Sequence, residues 1–157
     1  MTDDKVPAAR LPKVEEQLCF AVYQAGHAFT RMYRTVLADL GLTYPQYLVM
    51  IVLWERDGLT VKALGDRLML DSGTLTPLLK RMEAAGLISR QRSREDERQV
   101  IVSLTKAGSQ LREKGSCVPA AMRDVLGDKD GRNARLLKDL ATVRDALLKG
   151  AEGADEA

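Results

Sequence analysis

Apolar residues recur every three or four positions along the first third of the chain, which is the spacing of one helical face. This stripe runs from Leu18 to Leu40, and Gly41 directly after it is a typical helix terminator. The pattern predicts a long helix over 13–41. A second stripe of leucine and valine residues predicts a last helix over about 133–149.

Between these stripes, capping residues divide the chain into shorter helices. Thr43 and Gln46 have the spacing of a capping box, and Pro45 lies in the first turn, where its missing N–H does no harm. Thr60 is suited to cap a short helix over 61–68. The sequence therefore predicts a second and a third helix in close succession.

A fourth helix is predicted to follow Asp71 and to end before Gly86. Its start has two candidates. With Ser72 as the cap, Pro77 falls at the fifth helical position and removes a hydrogen bond. With Thr74 as the cap, Pro77 falls at the third position and removes none. The sequence leaves both starts open.

A β-hairpin is predicted next, because apolar and polar residues partly alternate over 87–93 and 99–104, on either side of a charged tip. Thr105 can cap a fifth helix, which Pro119 should interrupt or bend. Two helices, a hairpin and a charged tip in this order describe a winged helix-turn-helix. The predicted fold class is therefore mainly α.

The 157 residues correspond to one ordinary domain. The predicted organisation is a flexible arm over 1–12, a single domain over 13–150 and an acidic, disordered tail over 151–157. Within the domain, the winged part should occupy about 43–104.

The predicted helices outside the winged part, over 13–41 and 105–149, have apolar stripes with no sheet to cover. In a chain of this length they can pack on the winged part or on a second copy of the chain. The second arrangement would make them dimerisation helices, and a two-fold dimer would present two recognition helices to DNA.

The net charge of +2 does not by itself indicate a nucleic-acid partner. Its distribution is more informative, because 76–94 contains five basic residues and only one acidic residue. A local basic patch on a nearly neutral chain is typical of a DNA-binding surface.

No apolar run approaches the ~20 residues that a membrane span needs, and the first residues lack the pattern of a secretory signal. We therefore expect a cytoplasmic protein without a membrane partner, in which thiols are normally reduced. One histidine and two cysteines 98 positions apart make no recognisable ligand set, so no metal or other cofactor is expected.

The fourth helix is the predicted recognition helix. Short hydroxyl side chains and free N–H groups at its start are suited to phosphates and base edges, and its basic residues to the DNA backbone. The candidate contacts are Ser72, Thr74, Thr76, Pro77, Lys80 and Arg81. The alternative interpretation of these residues is a solvated helix end.

The hairpin tip supplies the other candidate DNA contacts, which are Arg92, Arg94, Asp96 and Arg98. A carboxylate beside a guanidinium fixes its direction, and an arginine aimed in this way can enter the minor groove. The alternative is an exposed loop with weak ion pairs, each worth about 0–1 kcal/mol.

The segment from Asp96 to Thr105, DERQVIVSLT, resembles the wing signature D-x-R-x-x-x-V-x-L-T of the MarR family of dimeric transcriptional regulators. Four shorter segments, at 17–20, 43–47, 53–55 and 71–77, are similar to its organic-hydroperoxide-sensing branch, the OhrR-type repressors. The similarity extends from about residue 15 to residue 114. It implies a repressor that binds double-stranded operator DNA and is not an enzyme.

Cys19 lies on an apolar helix, where a free cysteine is most often inert core filling. The resemblance implies instead that Cys19 is a peroxide sensor whose thiolate is hydrogen-bonded by Tyr33 and Tyr44. It also implies that an organic hydroperoxide oxidises Cys19, that Cys117 of the other subunit then forms a disulfide with it, and that the DNA is released.

Two other functions are compatible with these residues. One is a MarR-type repressor that a small aromatic ligand releases from DNA, with structural cysteines. The other is a thiol peroxidase, although the sequence offers no base or arginine near Cys19 to turn over such chemistry.

Overall fold

The computed structural model describes residues 11–155. They form seven α-helices and a three-stranded antiparallel sheet, which confirms the predicted mainly α winged-helix fold. The elements in chain order are α1 (Leu18–Val36), α2 (Tyr44–Glu55), β1 (Leu59–Thr60), α3 (Val61–Leu68), α4 (Ser72–Ala84), β2 (Ile88–Arg92), β3 (Val100–Leu104), α5 (Lys106–Gly115), α6 (Val118–Leu126) and α7 (Arg132–Asp155).

The chain forms two compact units, one that ends at Ser116 and one that begins at Cys117. The single domain over 13–150 stays a prediction. Residues 1–10 and 156–157 lie outside the described residues, and with them most of the predicted arm and the end of the predicted tail.

Side-chain caps fix several helix starts where the sequence predicted them. The Oγ1 of Thr60 accepts from the N–H of Ala63 at 3.0 Å, and the Oγ1 of Thr105 accepts from the N–H of Gly108 at 3.1 Å. At α2, the backbone N–H of Thr43 donates to the Gln46 side chain at 2.9 Å. Each cap satisfies a backbone group that the helix itself leaves unpaired.

The start of α4 differs from both predicted alternatives. Asp71 is the cap, because its Oδ1 accepts from the N–H of Thr74 at 2.8 Å and its Oδ2 from the Thr74 hydroxyl at 2.9 Å. Pro77 therefore lies inside the helix and removes one of its hydrogen bonds. Both predicted caps, Ser72 and Thr74, were wrong because an aspartate one position earlier offers two oxygens.

The two long terminal helices also differ from their predicted bounds. The helix predicted over 13–41 is divided into a 3-10 turn at Val14–Glu16, α1, and a second 3-10 turn at Ala38–Leu40. At the other end α7 continues to Asp155, so the described part of the predicted tail is helical and not disordered.

The sheet has the order β1-β3-β2. The hairpin pairs Ile88 with Leu104 and Arg92 with Val100, as the two predicted strands imply. The strand β1 was not predicted, since two residues carry no detectable period. It pairs with β3 and attaches the start of α3 to the wing.

The core of the first unit lies between the winged-helix elements, whereas α1 contributes no buried side chain. Its fully buried large residues include Met50, Leu53, Leu64, Leu75, Leu79, Met82, Ile88 and Val102. The apolar stripe of α1 is exposed instead, with Leu18 at 62%. In the second unit, Leu136, Leu140 and Leu147 of α7 are likewise exposed.

No helix within residues 11–155 is long and apolar enough to cross a membrane.

Candidate DNA interface and redox site

The helix α4 has a buried face and an exposed face. Leu75, Leu78, Leu79 and Met82 are buried. The predicted DNA contacts Ser72, Thr74, Pro77, Lys80 and Arg81 are exposed, and Thr76 is half-buried. This division leaves the predicted contacts available to a duplex.

The N-terminal turn of α4 is less open to phosphate than its sequence suggested. Asp71 takes the N–H of Thr74, and the Thr74 hydroxyl donates to the same carboxylate. The hydrogen bond from the Thr74 backbone N–H, and to a smaller extent the one from its hydroxyl, holds the pKa of the Asp71 carboxyl below its usual range. Asp71 therefore stays ionised at neutral pH and uses one N–H that was predicted to be free.

The wing tip is shaped by side-chain bonds to its own backbone. Ser93 Oγ accepts from the N–H groups of Glu95 and Asp96 at 3.2 and 3.3 Å. Asp96 accepts from the N–H of Arg98 at 3.1 Å and from the Gln99 side chain at 3.0 Å. The prediction that a carboxylate beside a guanidinium orients the arginine is wrong for Asp96, which binds the Arg98 backbone and fixes the loop instead.

The arginines of the wing differ in their surroundings. Arg94 and Arg98 are exposed. Arg92 is also exposed, and its Nη1 donates to the Glu97 carbonyl at 3.5 Å. The tip therefore presents three positively charged side chains on a loop of defined shape.

Arg90, a member of the basic patch, is already paired. Its Nε and Nη2 donate to Glu83 Oε2 at 2.9 and 2.7 Å, and its backbone N–H donates to Glu83 Oε1 at 3.0 Å. These bonds from Arg90 hold the pKa of the Glu83 carboxyl below its usual range. The pair joins the end of α4 to β2, a link that the sequence analysis missed because the residues lie on different elements.

Cys19 is exposed near the start of α1, so the interpretation of inert core filling does not hold for this chain. Its Sγ donates to Gln17 Oε1 at 3.5 Å. Tyr33 lies fourteen residues further along the same helix, which is about 21 Å at 1.5 Å per residue. One chain therefore does not bring Cys19 and Tyr33 together.

The two predicted thiolate partners do lie together. The rings of Tyr33 and Tyr44 stack with their centroids 4.1 Å apart and their planes 21° apart. Burial raises the pKa of both hydroxyls, and the neighbouring Tyr44 raises that of Tyr33 further. Both phenols therefore keep their protons at neutral pH and can act as hydrogen-bond donors.

A third tyrosine, which sequence reasoning missed, extends this pair. The ring of Tyr47 lies 6.1 Å from that of Tyr33, and its hydroxyl donates to the Gly115 carbonyl at 3.2 Å. Burial, with smaller contributions from Tyr33 and Tyr44, raises the pKa of Tyr47 to about 12. The tyrosine cluster is therefore linked to the end of α5.

Cys117 lies at the start of the second unit, directly before α6, and is exposed. Pro119 occupies the first turn of α6, so the predicted interruption of the helix after Thr105 is confirmed. Among the side chains that the structure describes, no group of three histidine, cysteine or acidic residues could hold a metal ion.

The comparison with protein families matches residues 31–114 to the model described as transcriptional regulator SarA/Rot. The chain is 49% identical over 136 residues to the organic hydroperoxide resistance transcriptional regulator of Bacillus subtilis (strain 168), with 86% of this chain and 92% of that protein covered. The chain belongs to the MarR family of winged-helix regulators. Like its relatives in that family, it is a DNA-binding transcriptional regulator and not an enzyme.

Other comparisons agree with this assignment. The chain is 54% identical over 134 residues to the HTH-type transcriptional regulator TtmR of Methylorubrum extorquens (strain PA1), with 85% of this chain and 69% of that protein covered. Among solved structures, reduced AbfR bound to DNA has a TM-score of 0.76 and 33% identity, with 86% and 94% of the two chains covered. Disulfide-formed AbfR has a TM-score of 0.64 and 36% identity, with 86% and 92% covered.

Proposed function

We propose that this MarR-family chain is a dimeric repressor that leaves its operator DNA when an organic hydroperoxide oxidises Cys19. The observation that carries the proposal is an exposed thiol on α1 in a chain that also holds a stacked, protonated pair of phenols. The Bacillus relative, named for organic hydroperoxide resistance, supports the choice of oxidant. AbfR, known both reduced on DNA and disulfide-formed, supports the redox switch.

The exposed apolar stripe of α1 supports the dimer. Leu18, Val22 and Phe29 are uncovered in the chain, and a large uncovered apolar face on a helix favours association. We assign this face to a second copy of the chain, because the proposed redox site also requires a second copy. Since Cys19 and Tyr33 are about 21 Å apart on one helix, the phenols that bond a given Cys19 belong to the partner subunit.

The proposed chemistry has two steps. The Cys19 thiolate attacks one peroxide oxygen, the O–O bond breaks, and the sulfur becomes a sulfenic acid while the hydroperoxide is reduced to the alcohol. The Cys117 thiol of the partner subunit then attacks the Cys19 sulfur, an S–S bond forms and water leaves. Tyr33 and Tyr44 donate hydrogen bonds to the thiolate and so stabilise the reactive form.

In the proposed DNA complex, the exposed face of α4 enters the major groove and the wing reaches the phosphates or the minor groove. On α4 the proposed contacts are Ser72, Thr74, Thr76, Pro77, Lys80 and Arg81. On the wing they are Arg92, Arg94 and Arg98, with Asp96 holding the loop in shape. Disulfide formation alters the spacing of the two recognition helices, which must match half-sites about 34–36 Å apart.

The proposal is tested by a gel-shift assay on the DNA upstream of the regulated gene, with and without cumene hydroperoxide. The reduced wild-type protein should bind, oxidation should release it, and dithiothreitol should restore binding. Cys19→Ser should bind with the wild-type affinity and remain bound in the presence of the oxidant. Normal release of Cys19→Ser would remove Cys19 as the sensor, and a wild-type protein that ignores the oxidant would remove the proposed function.

A further inference from the structure

The contact between α2 and α5 uses two aromatic side chains and two glycines with the same spacing. Tyr47 and Trp54 are seven residues apart on α2, and so are Gly108 and Gly115 on α5. Seven residues are close to two helical turns, so each pair lies on one face of its helix. Tyr47 bonds Gly115 and Trp54 bonds Gly108, which sets the two helices antiparallel.

This contact is tight at Gly115. A Cβ at this position would lie 2.5 Å from Trp54 Cη2 and 2.6 Å from Cζ3, closer than real Cβ atoms come to other heavy atoms. The Trp54 Nε1–H donates to the Gly108 carbonyl at 2.9 Å. Gly115 therefore lets the end of α5 approach the Trp54 ring of α2 more closely than any residue with a side chain would allow.

The Tyr47 hydroxyl satisfies a carbonyl that α5 itself leaves unpaired. The last carbonyl groups of an α-helix have no partner inside the helix, and Gly115 is the last residue of α5. Tyr47 is 2% exposed, and its raised pKa keeps its proton in place at neutral pH. The hydroxyl is therefore a buried donor to the end of α5 that stays protonated at neutral pH.

Tyr47 also contacts two parts of the proposed redox site, the phenol Tyr33 and the helix end that precedes Cys117. Its ring lies 6.1 Å from the ring of Tyr33, one of the proposed thiolate partners. Its hydroxyl bonds Gly115, which precedes the proposed resolving residue Cys117 by two positions. A single side chain thus contacts both the phenol pair and the helix end that leads to Cys117.

We infer that the Tyr47 hydroxyl is a latch, which holds the last turn of α5 in place while the cysteines are reduced and opens when the disulfide forms. The inference rests on the proposed function. Tyr47 touches neither sulfur, so it is a positioning residue for the second step, in which the Cys117 thiol displaces water from the Cys19 sulfenic acid. Opening the latch is part of the barrier to that step.

Tyr47→Phe tests the latch, because phenylalanine keeps the ring and removes the hydrogen bond. The disulfide step should become about two- to tenfold faster, which corresponds to the usual net worth of one neutral hydrogen bond. The rate of sulfenic acid formation, measured by trapping in a Cys117→Ser background, should stay within twofold of wild type, as should the DNA affinity of the reduced protein. Disulfide formation is followed on quenched samples by non-reducing electrophoresis.

Thr142→Val is the matched control, since it also removes a hydroxyl bond to a backbone carbonyl, the 3.0 Å bond to Lys138, but lies on α7. Its disulfide rate should equal that of the wild type. A Tyr47→Phe rate equal to or below wild type would overturn the latch, while release of the wild-type protein by peroxide would leave the proposed function standing. Failure of the wild-type protein to form any disulfide would overturn both.

Hydrogen exchange on the wild-type protein tests the latch without a substitution. It is the deciding experiment for the latch if Tyr47→Phe does not fold. Peptides that cover the end of α5 should exchange faster after oxidation by cumene hydroperoxide than before, because opening the latch exposes the last turn. Peptides from the buried part of α4 serve as the internal reference. Unchanged protection at the end of α5 would exclude a latch that opens.

Discussion

Gly108, in the first turn of α5, lies directly against the backbone carbonyl of Leu87 at the base of the wing. A Cβ at Gly108 would overlap the Leu87 oxygen and lie 3.3 Å from Leu104 Cδ2. The same Leu87 oxygen accepts from the Thr105 N–H at 3.1 Å, and the Thr105 hydroxyl donates to the neighbouring Gly86 carbonyl at 2.6 Å. One carbonyl thus attaches the wing to α5, and glycine is the residue that fits beside it.

Gly108→Ala should destabilise the protein by about 1–3 kcal/mol, because the added methyl group must displace backbone and not a flexible side chain. Gly150→Ala is the control, since Gly150 is also helical and a Cβ there meets nothing within 4 Å. It should be neutral or stabilise by about 0.5–1 kcal/mol. Urea denaturation measures both, and a Gly108→Ala protein as stable as wild type would contradict the close contact.

Arg90→Ala should weaken DNA binding without changing its dependence on salt. Arg90 is bonded to Glu83 through its side chain and its backbone, so it positions the wing on α4 and releases no counterion from a phosphate. Affinities measured between 50 and 200 mM salt, a range of about fourfold, give the slope. A slope lowered by about one unit would show instead that Arg90 contacts a phosphate.

Arg98→Ala is the complementary case on the wing tip. The Arg98 side chain is exposed, and its backbone N–H is held by Asp96 at 3.1 Å, so its charge is presented to the duplex. Its loss should weaken binding and reduce the salt slope by about one unit for one phosphate contact. DNA affinities measured over the same range of salt concentrations give the slope for Arg98→Ala. An unchanged slope would argue against a contact between Arg98 and the DNA.

Cys117→Ser should abolish the covalent dimer that forms when the protein is treated with an organic hydroperoxide. Serine cannot condense with a sulfenic acid to give a disulfide, so oxidation should stop at Cys19. Non-reducing electrophoresis separates the two outcomes, with the reduced protein as the reference. A covalent dimer that persists in Cys117→Ser would exclude Cys117 as the resolving thiol.

The features that sequence predicted well depend on residues close together in the chain. The caps Thr60 and Thr105 bond N–H groups three positions ahead, so their signal is local. The terminator Gly86 adopts the left-handed conformation expected of it, with φ at +72°. At the start of α4 three candidate caps, Asp71, Ser72 and Thr74, lie within four residues, and the sequence alone does not show that Asp71 is the one that bonds the Thr74 N–H.

The features that sequence missed join residues on different elements. The bonds from Glu83 to Arg90 and from Tyr47 to Gly115 depend on how α4 meets β2 and how α2 meets α5, which no local pattern encodes. The equal seven-residue spacing of Tyr47 and Trp54 and of the two glycines was visible in the sequence. This spacing could have indicated a contact between the two aromatic residues and the two glycines, but it does not show which aromatic residue contacts which glycine.

The distance between Cys19 and the phenol pair within one chain has a consequence for how the protein behaves at low abundance. A single copy carries its Cys19 thiol near the start of α1 and its paired phenols at the other end, with Tyr33 late in α1 and Tyr44 at the start of α2. It therefore contains every chemical group of the proposed sensor without assembling the sensor. The response to the oxidant then depends on the concentration of the protein. Below the concentration at which subunits associate, intact subunits would not respond to peroxide.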